Sequence, residues 1–126
     1  MISPIVHAHI DLSVTDTTRK VIIFKDSATP QMEEEELAYL KEKLGDGKGR
    51  VTREIPFKFW TSGRDGGVTF GTTVTLSVNC DSDDGVMKDV DRFLYNVALD
   101  LNLTTLEELE GIAHDYFEKT RKRRIT

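Results

Sequence analysis

The chain has 126 residues, of which 38% are hydrophobic and 31% charged, with a formal net charge of −5. That length and apolar share suit a single domain, 1–126, with one core, and the acidic balance argues against nucleic acid as a partner, because phosphates call for a basic footprint. One cysteine, Cys80, excludes an intrachain disulfide and fits a reducing compartment.

From Val6 to Val14 apolar and polar residues alternate. Ala8, Ile10, Leu12 and Val14 share one face, and His7, His9, Asp11 and Ser13 the other, the period of a half-buried strand. The residues leading into it lack the positive and continuous apolar regions of a signal peptide. No run approaches the roughly 20 apolar residues of a membrane span. The expectation is a cytoplasmic protein without membrane association. Thr15–Thr18 reads as a turn, and Lys20–Lys25 as a β-branched returning strand.

Thr29-Pro30 predicts the start of a helix over about 29–44, with Thr as N-cap and Pro at the first helical position. Glu33–Glu36 favour its positive end, Leu37, Leu40 and Leu44 share a face, and Gly45 ends it. Gly45–Arg50 is a connector. Ile55, Phe57 and Phe59 alternate with Lys58 and Trp60 in a third strand. Pro56 there predicts an edge position or a bulge, because proline cannot donate to a ladder. Ser62–Gly67 reads as a hairpin loop. The fourth strand, Val68–Cys80, points Val68, Phe70, Val74, Leu76, Val78 and Cys80 one way, and its threonines, Ser77 and Asn79 the other.

A helix from about Asp84 to Leu101 carries the stripe Val86, Val90, Phe93, Leu94, Val97 and Leu101. Asn102 closes it, and Thr104 with Glu107 forms a capping box for a last helix striped by Leu106, Leu109, Ile112, Ala113, Tyr116 and Phe117. The predicted class is α+β. An antiparallel sheet (ββαββ) makes a β-rich half, 1–80, and a two-helix hairpin over about 84–122 packs on it or forms an oligomer interface. The hairpin's apolar surface exceeds what one sheet face needs, which predicts a homo-oligomer through the C-terminal helices.

Candidate chemistry is sparse. His7, His9 and Asp11 begin a metal site, with His114 as a distant third imidazole, but a solvated strand face explains them as well. Gly45–Gly49 lacks the preceding strand and the Ser or Thr after Lys48 that a phosphate-binding loop requires. Cys80 continues an apolar face and reads as core rather than nucleophile. The expectation is a protein that is not an enzyme and needs no cofactor or metal, with a hydrolase using His7 or His9 as the weaker alternative.

Lys119–Arg124 holds five cations, which either complement a helix C-terminus or bind a compact anion. Phe93, Tyr95 and Asn102 on the helices, with Trp60 and Arg64 near the second hairpin, are the candidate aromatic, amide and guanidinium groups of a ligand pocket. Small size, acidity and a strand-rich half before a helical hairpin resemble phage-encoded inhibitor proteins. Among these the chain is similar in architecture to the Thoeris anti-defence family, oligomeric sponges for cyclic ADP-ribose-type signals. The resemblance implies a ligand held by Phe93, Asn102 and Arg121 or Arg123. The leading expectation is therefore a non-catalytic protein that sequesters a small anionic nucleotide-like ligand. The alternatives are an anti-CRISPR or anti-nuclease inhibitor acting by protein contact, and a nucleic-acid accessory protein using the basic tail.

Overall fold

Period-two alternation becomes four strands: β1 (Val6–Asp16), β2 (Val21–Ala28), β3 (Gly49–Gly63) and β4 (Gly66–Cys80). A computed structural model describes the backbone of residues 5–63 and 66–125, and side chains outside 61–66 and 120–126. The strands form one antiparallel sheet in the order β2-β1-β4-β3. β3 is thus an edge strand, as Pro56 demands, and Pro56 stands opposite Thr73. Helix α1 (Glu34–Glu42) joins the two hairpins, and α2 (Asp84–Ile125) follows the sheet. The class is α+β.

The C-terminal hairpin of helices is corrected to one continuous helix of 42 residues. Thr104 and Thr105 do not cap a new helix; their hydroxyls donate back to the carbonyls of Asp100 (3.0 Å) and Leu101 (2.9 Å). Such i−4 bonding lets threonine sit inside a helix. Neither glycine nor proline stands at 102–105 to turn the chain.

The start of the first helix also moves, from Thr29 to Glu34. Glu33 is the N-cap, and its N–H donates to Glu36 Oε1 at 3.2 Å. The topology explains the delay. β2 and β3 lie at opposite edges, about 14 Å apart across three strand spacings, and an extended arm over 29–33 supplies reach that a helix would not.

Among the described residues, only the inner face of the sheet is covered. The helix begins where β4 ends and runs back along it. At 1.5 Å per residue α2 is about 63 Å long, whereas the 15 residues of β4 span about 50 Å, so roughly nine residues pass beyond the sheet. Phe117 is the last described residue packed on the core. The larger apolar cluster joins Ile10, Leu76, Val78, Val90 and Leu94 with Leu40 of α1; the smaller joins Val14, Val68, Phe70, Leu109 and Ala113. Buried Thr72 and Asn102 lie near the middle of the helix's path, with Thr105 Oγ1 donating to Thr72 Oγ1 at 3.3 Å. Among the described residues no helix is long and apolar enough to cross a membrane.

Candidate functional site

Among the described residues, those expected to form a ligand pocket do not converge. Phe93 is partly buried in the larger cluster, stacked on Tyr39 with ring centroids 4.2 Å apart. Tyr95 lies under the Arg53 guanidinium (5.2 Å), and Arg53 in turn grips Asp91 bidentately at 2.7 and 2.8 Å. This trio ties β3 to α2 and engages the fork that a ligand would need. Trp60 is exposed on the opposite, outer face of the sheet, lying over Gly67, where an added Cβ would come within 2.6 Å of its Nε1. Arg64 lies outside the described residues, as do the side chains of Arg121 and Arg123.

Asn102 is 1% exposed. Its Nδ2 donates to the Ile55 carbonyl at 3.3 Å, and its Oδ1 has no hydrogen-bond partner among the described residues. An orphaned buried acceptor costs about 1–3 kcal/mol. Asn102→Leu, which keeps the branch at Cγ, is therefore expected to leave stability unchanged or raise it by up to about 1 kcal/mol, read from urea midpoints. A loss above about 2 kcal/mol would show instead that the amide is a necessary tie between α2 and β3.

The other sequence candidates resolve into structure. His9 Nε2 and Asp11 Oδ1 are 2.9 Å apart on the outer face, whereas His114 lies on α2, across the sheet, and is paired with Glu118 at 3.9 Å. No group of His, Cys, Asp or Glu among the described residues could hold a metal ion. Cys80 is buried, and burial, then the charges of Asp81 and Asp46, pushes its thiol up, away from the nucleophilic thiolate. The Gly45–Gly49 loop is fastened to the β4–α2 junction. Asp46 accepts from Ser82 Oγ (2.6 Å), Ser82 N–H (3.0 Å) and Lys48 N–H (3.0 Å), and the Ser82 hydroxyl above all holds its carboxyl below the ordinary value. Gly45 adopts φ +50°, and a Cβ there would run into the Asp81 side chain.

Two further concave surfaces lie on opposite sides of the sheet. On the outer face, register sets His7, Ser77 and Thr52 side by side across β1, β4 and β3, with His9 next to Thr75 in the following row. These five, with Arg50 and Thr29, surround a basin of about 390 Å³. Ser77 is its floor, 6% exposed; it receives Arg50 Nε at 3.1 Å and shares a hydrogen bond with Thr52 Oγ1 at 3.0 Å. The terminal guanidinium nitrogens of Arg50 have no hydrogen bond among the described residues. No carboxylate among the described residues lines the basin; Asp11 is engaged by His9, and Glu54 stands beside Thr75 at the edge.

No protein-family model, curated protein or solved structure matches the chain. What these surfaces can bind must be argued from their chemistry.

The second surface is a groove of about 620 Å³ on the inner side, between the far half of α2 and the β3–β4 hairpin. Phe59, Phe70, Leu103, Leu106 and Phe117 give it an apolar floor, and Glu107, Glu110 and His114 a polar rim. Phe59 and Leu103 are 51% and 59% exposed. Sequence reasoning placed His7, His9, Phe59, Phe70, Thr75 and Ser77 on strand faces and Leu106, Ala113 and Phe117 on a helix face. It missed Arg50, Thr52, Thr75 and Ser77 as a group because only the register of three strands brings them together.

Proposed function

We propose that the chain is a non-catalytic binding protein that sequesters a small phosphorylated, nucleotide-like ligand in the outer-face basin. The observation that carries this reading is the lining itself. In a chain of net charge −5, one guanidinium, two imidazoles and four hydroxyls converge with no carboxylate among them. Hydroxyls and the His7 imidazole donate to phosphate oxygens, His9 Nε2 being engaged by Asp11, and the free fork of Arg50 takes two of them at once. The volume lies within the usual range for small-molecule pockets. In this reading Arg50 and Ser77 take the role that the resemblance implies for Phe93, Asn102 and Arg121 or Arg123.

Calorimetric titration with inorganic phosphate, AMP and ADP-ribose tests it. The phosphorylated nucleosides are expected to bind, with Arg50→Ala weakening them by about ten- to hundredfold, as loss of a charge-assisted hydrogen bond does. Arg50→Lys should recover only part, because an ammonium cannot form the bidentate pair. Glu54→Gln, which removes a nearby negative charge, should tighten binding. No heat with any of the three at millimolar concentration, or equal binding by wild type and Arg50→Ala, would sink the proposal.

A further inference from the structure

The groove beside α2 calls for an occupant of its own, independently of the basin, which lies on the other side of the sheet. We infer that it receives the C-terminal part of α2 from a second copy of this chain, in an antiparallel, two-fold pairing of the helices.

Three features select that occupant. The groove runs along α2 from Leu103 to Phe117, about four turns, so its long axis is parallel to a helix. Its floor keeps Phe59 and Leu103 more than half exposed, a large apolar patch that a helical face would cover. The charges along the far half of α2 are segregated: Glu107, Glu108, Glu110, Asp115 and Glu118 precede Lys119, Arg121, Lys122, Arg123 and Arg124. A helix with an acidic block followed by a basic one complements itself only when a second copy runs the opposite way. With the two-fold axis near Asp115, Glu107, Glu108 and Glu110 of each copy face the basic block of the other, and the last turn of the partner helix, opposite residues 105–108, abuts Leu103 and Phe59. The roughly nine residues of α2 that pass beyond the sheet are then the arm that enters the neighbour's groove.

Sedimentation velocity on the full chain, from low to high micromolar concentration, reads the pairing. A reversible dimer is expected. Leu103→Glu alters an exposed position without touching the core, and should raise the dimer dissociation constant at least about tenfold. Glu107→Lys with Glu110→Lys should weaken the dimer at low salt, with the difference fading near molar salt, where screening falls to about 3 Å. Adding Lys122→Glu and Arg123→Glu to that pair should restore association, a rescue that a merely sticky surface would not give. A monomer at every concentration would overturn the inference. So would a dimer indifferent to Leu103→Glu, a charge-swapped chain without rescue, or native mass spectrometry showing the groove filled by a small apolar molecule or a different protein.

Discussion

Leu94→Ala is expected to lower folding stability by about 4 kcal/mol, and Leu109→Ala by about 3 kcal/mol, among the largest losses for single side chains in this chain. Both leucines are fully buried on α2, Leu94 at 0% and Leu109 at 1% exposure. Truncation removes the transfer energy of the lost carbons and leaves a cavity whose cost depends on how far the surroundings relax. Leu94 sits in the larger cluster, where Val90, Ala98 and the strand residues Leu76 and Val78 are held between α1, α2 and the sheet. Little can move there. Leu109 belongs to the smaller cluster and adjoins Leu106 and Phe117, both of which also line the open groove and have room to shift. Urea unfolding checks the order of the two losses through the midpoint at unchanged slope. The continuity of α2 adds a second readout. Both substitutions should shift a single transition, since one helix carries both clusters. If Leu109→Ala instead frees the amides after residue 105 to exchange while the midpoint stays put, the two halves of α2 are separate units.

What was legible in the sequence follows the range of the force involved. The alternation in Val68–Cys80 is set by neighbours two residues apart, and the structure buries Val68, Phe70, Val74, Leu76, Val78 and Cys80 together. Pro56 announced the edge strand through its own missing N–H. Helix ends were legible only where local chemistry decides them. Thr29-Pro30 has the chemistry of a helix start, yet the strands at opposite edges need an extended crossing, and Glu33 with Glu36 supplies the cap four residues later. Thr104 is a cap residue by type. Its hydroxyl serves equally well bonded to Asp100 within an unbroken helix, and the uninterrupted length of β4 beneath favours the straight path. The basin could not be read at all. His7, Ser77 and Thr52 are separated by at least 25 residues along the chain and meet only through register.

Asp16→Ala is expected to cost about 2–3 kcal/mol at neutral pH, more than any other polar truncation on this scaffold. Asp16 ends β1 and is 6% exposed. Its Oδ1 accepts the N–H groups of Thr18 and Arg19, each at 3.0 Å, and its Oδ2 accepts the Tyr116 hydroxyl at 2.8 Å. One carboxylate thus closes the β1–β2 turn, in which Lys20 adopts φ +56°, and ties that turn to α2. The same turn holds the second hairpin, because Thr17 N–H and Oγ1 both donate to the Gly67 carbonyl, at 2.9 and 2.7 Å. Losing the carboxylate loosens the contact of three segments. Burial alone would push the Asp16 carboxyl up, but the Arg19 N–H, the Tyr116 hydroxyl, the Thr18 N–H and the Arg19 charge together outweigh it and leave the group below its ordinary value of 3.8. A carboxyl depressed on folding adds stability that is complete above its unfolded value and disappears as pH falls through the folded one. The gap between wild type and Asp16→Ala should therefore be widest at pH 6–7 and narrow steadily below about pH 4. Asp16→Asn keeps an acceptor for the two turn N–H groups and should lose only about 1 kcal/mol, with a flatter acid limb. Tyr116→Phe, which keeps the ring beside Phe117, separates the tie to α2 from the closure of the turn. A gap that does not shrink in acid would mean that the shape of the side chain matters there and its charge does not.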